Sequence, residues 1–260
     1  LSDHFDYTVG TTWDANGWVN SGILPKQVIA EGNLGVPGLM LPSGNMGSVT
    51  NHSYTSSPNG QTRFYAVPPT GFVYHSFIFC VADLANLRVQ GDGFTNFYAM
   101  GLNNDFTLVG LRTNVSNPSR YDVGIAHGHA VSTQYAAWDT NGGNGYPTGQ
   151  TNFMVLRITC TNINVSAAPV DSYVAWVNPS SSDFGGEDPD DPPLLSRHRT
   201  NGHDGGTVYV NRVTFIARTG AQMFVDEVRV GTTWADVTPL IPEPVCALAA
   251  LLGLGLMRQR

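Results

Sequence analysis

Seven stretches of the chain carry a strand pattern: 73–81, 107–112, 121–127, 153–161, 173–177, 207–217 and 223–230. Each is rich in β-branched and aromatic residues and is bounded by Gly, Pro, Asn or Asp. The clearest is 153–160. There Met154, Leu156, Ile158 and Cys160 share one side, while Arg157 and Thr159 point the other way, the period of two that a half-buried strand requires. Almost nothing between these stretches has helical periodicity. Many short strands without intervening helices predict an all-β fold: two antiparallel sheets packed as a sandwich. Polar segments at 41–61, 139–150 and 178–204 then become sandwich-end loops, and loops this long tend to carry function or to be disordered.

The C-terminus departs from this pattern. Ile241-Pro242-Glu243-Pro244 precedes an uncharged apolar run from Val245 to Met257, and Arg258-Gln259-Arg260 follows it. As a short hydrophobic helix the run reaches about 20 Å. A permanent span needs about 20 residues. The prolines break it from what precedes, and Arg258 and Arg260 place its end on the cytoplasmic side. These three parts together resemble the PEP-CTERM sorting domain of exported bacterial proteins. The resemblance implies a partner, the membrane protease-transpeptidase exosortase. It also implies transient membrane insertion, cleavage near Pro242-Glu243-Pro244, and delivery to the cell surface or extracellular matrix. Cys246 stands where many members carry a small hydroxyl residue. The first residues, Leu1 to Asp6, lack the basic and apolar regions of a signal peptide, so the export signal is expected to have been removed or omitted.

Composition narrows the classes. Charged residues make up 13% of the chain and the formal net charge is −7, which argues against disorder. No basic patch is visible, so nucleic acid is not an expected partner. The 29 glycines and 16 prolines suit many turns between short strands. One large domain over residues 1–238 and a sorting tail over 239–260 account for the length. Cys80 and Cys160 both sit in strand-like stretches. They pair if their strands are neighbours in the right register, and are otherwise buried thiols.

A second resemblance lies in Phe224-Val225-Asp226-Glu227-Val228-Arg229-Val230, followed by Gly231-Thr232-Thr233-Trp234-Ala235-Asp236-Val237. This is similar to the closing strand of concanavalin A-like, laminin-G-like jelly rolls. Asp3-His4-Phe5-Asp6-Tyr7 and the Gly-Thr-Thr-Trp at Gly10 to Trp13 fit the same group. The resemblance implies a two-sheet jelly roll with about six or seven strands in each sheet. Asp226 shares parity with Phe224, Val228 and Val230, which points it inward. A buried carboxylate needs donors, so a structural role is expected, with backbone or indole N–H groups as partners.

Candidate chemistry is sparse. Glycosidases of this fold need two acids flanking a bond, and the laminarinase-type Glu-x-Asp-x-x-Glu strand is missing. Asp226 and Glu227 are adjacent and would face opposite sides. His127-Gly128-His129 has spacing that two imidazoles could use to grip Zn²⁺ or Cu²⁺, without an evident third ligand. Asp183, Glu187, Asp188, Asp190 and Asp191 offer oxygens that could hold Ca²⁺, yet their order matches no calcium loop. No cofactor or catalytic residue is therefore expected. Trp13, Trp18, Tyr135, Trp138, Tyr146 and Trp176 are candidate sugar platforms or core residues, and Trp138 and Tyr146 flank an Asn/Gly loop. The expectation is a non-enzymatic surface or matrix protein with extracellular polysaccharide as its candidate ligand. The alternative is a carbohydrate-active enzyme, a glycoside hydrolase or polysaccharide lyase, on the same fold.

Overall fold

The computed structural model describes residues 1–20, 27–40, 42–49, 60–66, 71–84, 87, 95–100, 107–127, 137–160, 172–189, 195–198, 212–216 and 221–241. The sorting residues Pro242, Glu243, Pro244, Arg258 and Arg260, and the expected C-terminal helix, lie outside them. The strands are β1 (Ser2–Asp3), β2 (Val19–Asn20), β3 (Val28–Ala30), β4 (Met46–Val49), β5 (Gly60–Phe64), β6 (Gly71–Asp83), β7 (Thr95–Met100) and β8 (Thr107–Thr113). They continue as β9 (Arg120–His127), β10 (Ala137–Asp139), β11 (Tyr146–Pro147), β12 (Thr151–Cys160), β13 (Ser172–Val177), β14 (Leu195–His198), β15 (Arg212–Ile216) and β16 (Gln222–Gly231). One α-helical turn follows, α1 (Trp234–Val237).

These strands form two eight-stranded antiparallel sheets. The first runs β14-β13-β12-β6-β16-β4-β3, with β1 beside β16, and the second runs β10-β9-β8-β7-β15-β5-β2, with β11 beside β9. The chain crosses between sheets repeatedly, so strands near in sequence often lie on opposite layers, as in a jelly roll.

The main core fills the space between the sheets. Phe77, Phe79, Val81, Met154, Leu156, Ile158, Met223 and Val225 come from the first sheet, and Val109, Leu111, Val123, Ile125, Val213 and Phe215 from the second. Phe5, Trp13, Trp18 and Phe215 close one end, with ring centroids 4.9–6.0 Å apart. Gly47 is required there, because a Cβ on it would lie 2.1 Å from the Trp13 ring. A second apolar layer covers the outer face of the first sheet: Tyr74, Ile78, Phe153, Val155, Val174 and Trp176 lie under Leu34, Leu39, Phe184, Trp234 and Val237. This explains why β6 reads as a nearly continuous apolar run. It is buried on both faces.

The register separates the two cysteines. Cys80 pairs with Thr151 and Cys160 with Gly71, at opposite ends of the β6–β12 ladder. The intervening strand spans about 30 Å, against the 7 Å or less between Cα atoms that a disulfide needs. Cys80 is a buried free thiol.

Asp226 is fully buried, and its carboxylate accepts backbone N–H groups from Leu34 at 2.9 Å and Glu227 at 2.8 Å. Its direction differs from the parity argument. Glu227 adopts φ +51° and the ladder to β6 slips between Asp226 and Arg229. That bulge resets the alternation. Asp226 pairs with Ile78 and lies with Phe224 toward the outer layer, while Val228 faces the core between the sheets. Glu227 is also buried, and it accepts from Arg229, from His4 and from the backbone of Ser43.

Candidate functional site

The outer face of the second sheet is built differently from that of the first. Gly110 and Gly124 are register partners on β8 and β9. Trp138 on β10 pairs with Gly124, and its ring lies directly over it. A Cβ at Gly124 would come within 2.6 Å of that ring. The missing side chain therefore seats the indole, the usual meaning of a glycine within a strand.

Arg112 completes the arrangement. Its guanidinium carbon sits 4.3 Å from the Trp138 ring centroid, a cation–π stack. Its Nε donates to Asp122 at 2.8 Å. The other Asp122 oxygen accepts from Asn114 at 2.6 Å. Asn114 in turn accepts the backbone N–H groups of Ser116 and Asn117 at 3.0 and 2.8 Å. Asp122 is fully buried, whereas the Arg112 side chain is 24% exposed. Both carboxylate oxygens are thus satisfied by a cation and an amide, which is how a buried charge is tolerated. Among the described residues, no hydrogen bond engages the Arg112 terminal nitrogens. The result is a positive group over an aromatic plane, held from behind.

The adjoining loop is equally ordered by its sequence. Asn141, Gly142, Gly143 and Gly145 all take positive φ, and Gly143 and Gly145 donate back to the Thr140 carbonyl at 3.0 and 2.7 Å. A Cβ at Gly145 would also meet Asn114 at 2.8 Å. Glycine serves both needs. Arg120 braces this loop by donating to the Gly145 carbonyl at 3.3 Å.

The candidate residues read from the sequence divide sharply. Trp138 lies in this arrangement. Tyr146 is buried, and its hydroxyl donates to Asp139. Burial, reinforced by Asp139, raises its phenol well above the usual tyrosine range. Trp13, Trp18 and Trp176 are buried. Tyr135, Gly128, His129, Asp190 and Asp191 lie outside the described residues. Asp188 is ion-paired with Arg157. Among the described residues, no group of three or more His, Cys, Asp or Glu is placed to hold a metal ion. The residues that the sequence reading missed are Arg112, Asn114 and Asp122. The available signal was Gly124, an isolated glycine inside a strand pattern.

No protein-family model matches the chain, and no curated protein matches it. Solved structures do. Variants of the alginate lyase Aly36B, one in complex with an alginate tetrasaccharide and one with a trisaccharide, align at TM-scores of 0.51 and 0.54. Both are 10% identical to this chain and cover 88% of it, and the chain covers 95% and 96% of theirs. The alginate lyase vAL-1 from Chlorella virus aligns at a TM-score of 0.43, with 9% identity over 86% of this chain and 99% of that one.

The likeness to Aly36B establishes the β-sandwich fold. The expectation of a non-enzymatic protein is corrected by the Aly36B neighbours. That expectation rested on the sorting tail and on the absence of a catalytic motif, including the pair of flanking acids that glycoside hydrolysis requires. Elimination beside a uronate carboxylate has different needs: a positive or hydrogen-bonding group at the carboxylate, and a base at the neighbouring carbon.

Proposed function

We propose that the chain is a carbohydrate-active enzyme, a polysaccharide lyase that takes a uronate polymer of the alginate kind on the outer face of its second sheet. The observation that carries this reading is Arg112, stacked on Trp138 and held by buried Asp122, with no hydrogen bond on its terminal nitrogens among the described residues. Arginine meets a carboxylate through two parallel N–H donors. Neutralising the uronate carboxylate makes the proton on the adjacent carbon acidic. A base removes that proton, the glycosidic C–O bond breaks, and the departing oxygen gains a proton. One product then carries an unsaturated uronate end. Trp138 supplies the plane that fixes the orientation of the guanidinium toward the carboxylate. The fold shared with an alginate lyase, solved with alginate fragments bound, supports the same reading.

The test is turnover of alginate, polygalacturonate and hyaluronan, followed by the ultraviolet absorbance of unsaturated uronate. The wild-type chain is expected to produce it from at least one polymer, and Arg112→Ala to lose about a hundredfold or more. Absence of unsaturated product from every uronate polymer, or full activity in Arg112→Ala, overturns the proposal.

The tail extends the proposal to location. Its Pro-Glu-Pro, apolar run and terminal arginines support sorting by an exosortase to the cell surface or matrix, where extracellular polysaccharide is found. Alanine at Pro242, Glu243 and Pro244 should leave the chain unprocessed. Normal processing and surface delivery of that variant would sink the assignment.

A further inference from the structure

A second cluster lies on the opposite sheet and plays no part in the site just described. Arg157 on β12 sits between two rings, with its guanidinium carbon 5.0 Å from the Phe72 centroid and 5.5 Å from that of Trp176. It is ion-paired with Asp188 from the loop after β13. Tyr74, next along the same face of β6 from Phe72, meets both Asp188 and Arg157, and its phenol is pushed up to about 12, by burial first and then by Asp188. Phe72 is 45% exposed, so an aromatic side chain faces solvent beside this group.

Its hydrogen bonding is incomplete. Arg157 Nε, Trp176 Nε1 and Asp188 Oδ1 are all buried without a partner. Those three atoms make up nearly half of such atoms among the described residues, gathered in one place. Trp176 is itself 5% exposed. Native interiors leave only a few such atoms per hundred residues, because each forfeits its hydration, so the notable feature is three of them side by side. The arrangement offers two donors and one carboxylate acceptor, bordered by an exposed ring. A sugar hydroxyl both donates and accepts, so neighbouring hydroxyls on one ring can satisfy all three atoms. A carboxylate-bearing ring fits poorly here, because Asp188 would repel it.

We infer that the Phe72, Arg157, Trp176 and Asp188 cluster is a second glycan-binding site, specific for a neutral pyranose, on the sheet opposite the uronate site. Phe72 carries the ring face, Trp176 Nε1 and Arg157 Nε donate to hydroxyl oxygens, and Asp188 accepts a hydroxyl proton. Arg157 and Asp188 are each 24% exposed, so their ion pair forms the rim that must part to admit hydroxyls to the three buried atoms. A site of this kind would hold the enzyme on mixed or neutral polysaccharide while the other face acts on uronate. It stands on residues independent of Arg112 and does not require the lyase reading.

The experiment is calorimetric titration of the full chain with neutral hexasaccharides of glucose, mannose and xylose. At least one should bind the wild type and Arg112→Ala equally. Its affinity should fall about tenfold or more in Trp176→Phe, which keeps a ring but deletes the donor, and in Phe72→Ala. Phe72 is exposed enough that its variant tests the site even if Trp176→Phe fails to fold. No binding to any of the three, or unchanged affinity in Phe72→Ala, overturns the inference and leaves ordered water as the partner of the three atoms. Uronate turnover that follows Arg112 alone keeps the two outcomes separable.

Discussion

Replacing Asp226 with Asn should abolish the pH dependence of stability that this one residue imposes. Burial pushes its carboxyl up to about 8, the N–H groups of Leu34 and Glu227 pull it down, and the nearby charges of Glu227 and Asp3 push it up again. The folded value therefore exceeds the ordinary 3.8. Between these two values the folded chain holds a proton that the unfolded chain has released, so stability must fall as pH rises. The contribution is fully present below about pH 4, declines toward pH 8 and is lost above it. At 1.36 kcal/mol per unit, the limiting cost of ionisation is about 6 kcal/mol. Asn carries no charge but turns an amide toward one of two backbone donors, which costs about 1–3 kcal/mol. The variant should thus be less stable than wild type at pH 5 and more stable by a few kcal/mol at pH 9. Urea unfolding of both proteins from pH 5 to 9 measures the difference, and contributions common to both cancel. A difference that stays flat with pH would show that Asp226 is an ordinary ionised acceptor. A difference of opposite slope would do the same.

Two glycines provide sharper steric tests. Gly124→Ala places a methyl 2.6 Å from the Trp138 ring, so the ring must leave its seat and the Arg112 stack with it. Stability should fall by about 1–3 kcal/mol, while uronate turnover drops as far as in Trp138→Ala; full turnover would show that the stack is not part of the site. Gly47→Ala drives a methyl into Trp13 at 2.1 Å inside the fully buried aromatic end of the core. A loss of about 3 kcal/mol or more in urea unfolding is expected, with the near-ultraviolet signal of the Trp13 and Trp18 pair altered; an unchanged midpoint would refute this packing.

The long strands were legible because burial imposes a pattern on them. The sequence stretch 153–161 appears as β12, 223–230 as β16 and 107–112 as β8, each within a residue or two. Short strands such as β1, β2, β10 and β11 span two or three residues, too few to show any period. They exist because longer neighbours offer an open edge. The bulge at Glu227 was invisible for a different reason. It is a backbone event at a non-glycine residue, and it put Val228 and Val230 on the opposite side of the sheet from Phe224 and Asp226, with which alternation grouped them. The site was the least legible part. Arg112, Asp122 and Trp138 come from three strands, and nothing local marks them as neighbours. Only the antiparallel register, which sets Arg112 opposite Asp122 and Gly124 opposite Trp138, brings them together.

That register also explains why the two outer faces should differ in chemistry although they share parts. Each carries an arginine stacked on a tryptophan and held by an aspartate: Arg112, Trp138 and Asp122 on one, Arg157, Trp176 and Asp188 on the other. In the first, the aspartate is buried and both its oxygens are used, so its charge is spent inside the protein and the guanidinium presents net positive potential outward. In the second, the aspartate is part-exposed and its other oxygen is buried with no partner among the described residues, so its charge opposes that of the arginine where a ligand would arrive. A pair neutralised from behind suits an anion; a pair exposed together repels one and suits hydroxyls. Exchanging these preferences should therefore depend on the aspartates more than on the arginines, since the cation and the ring are common to both.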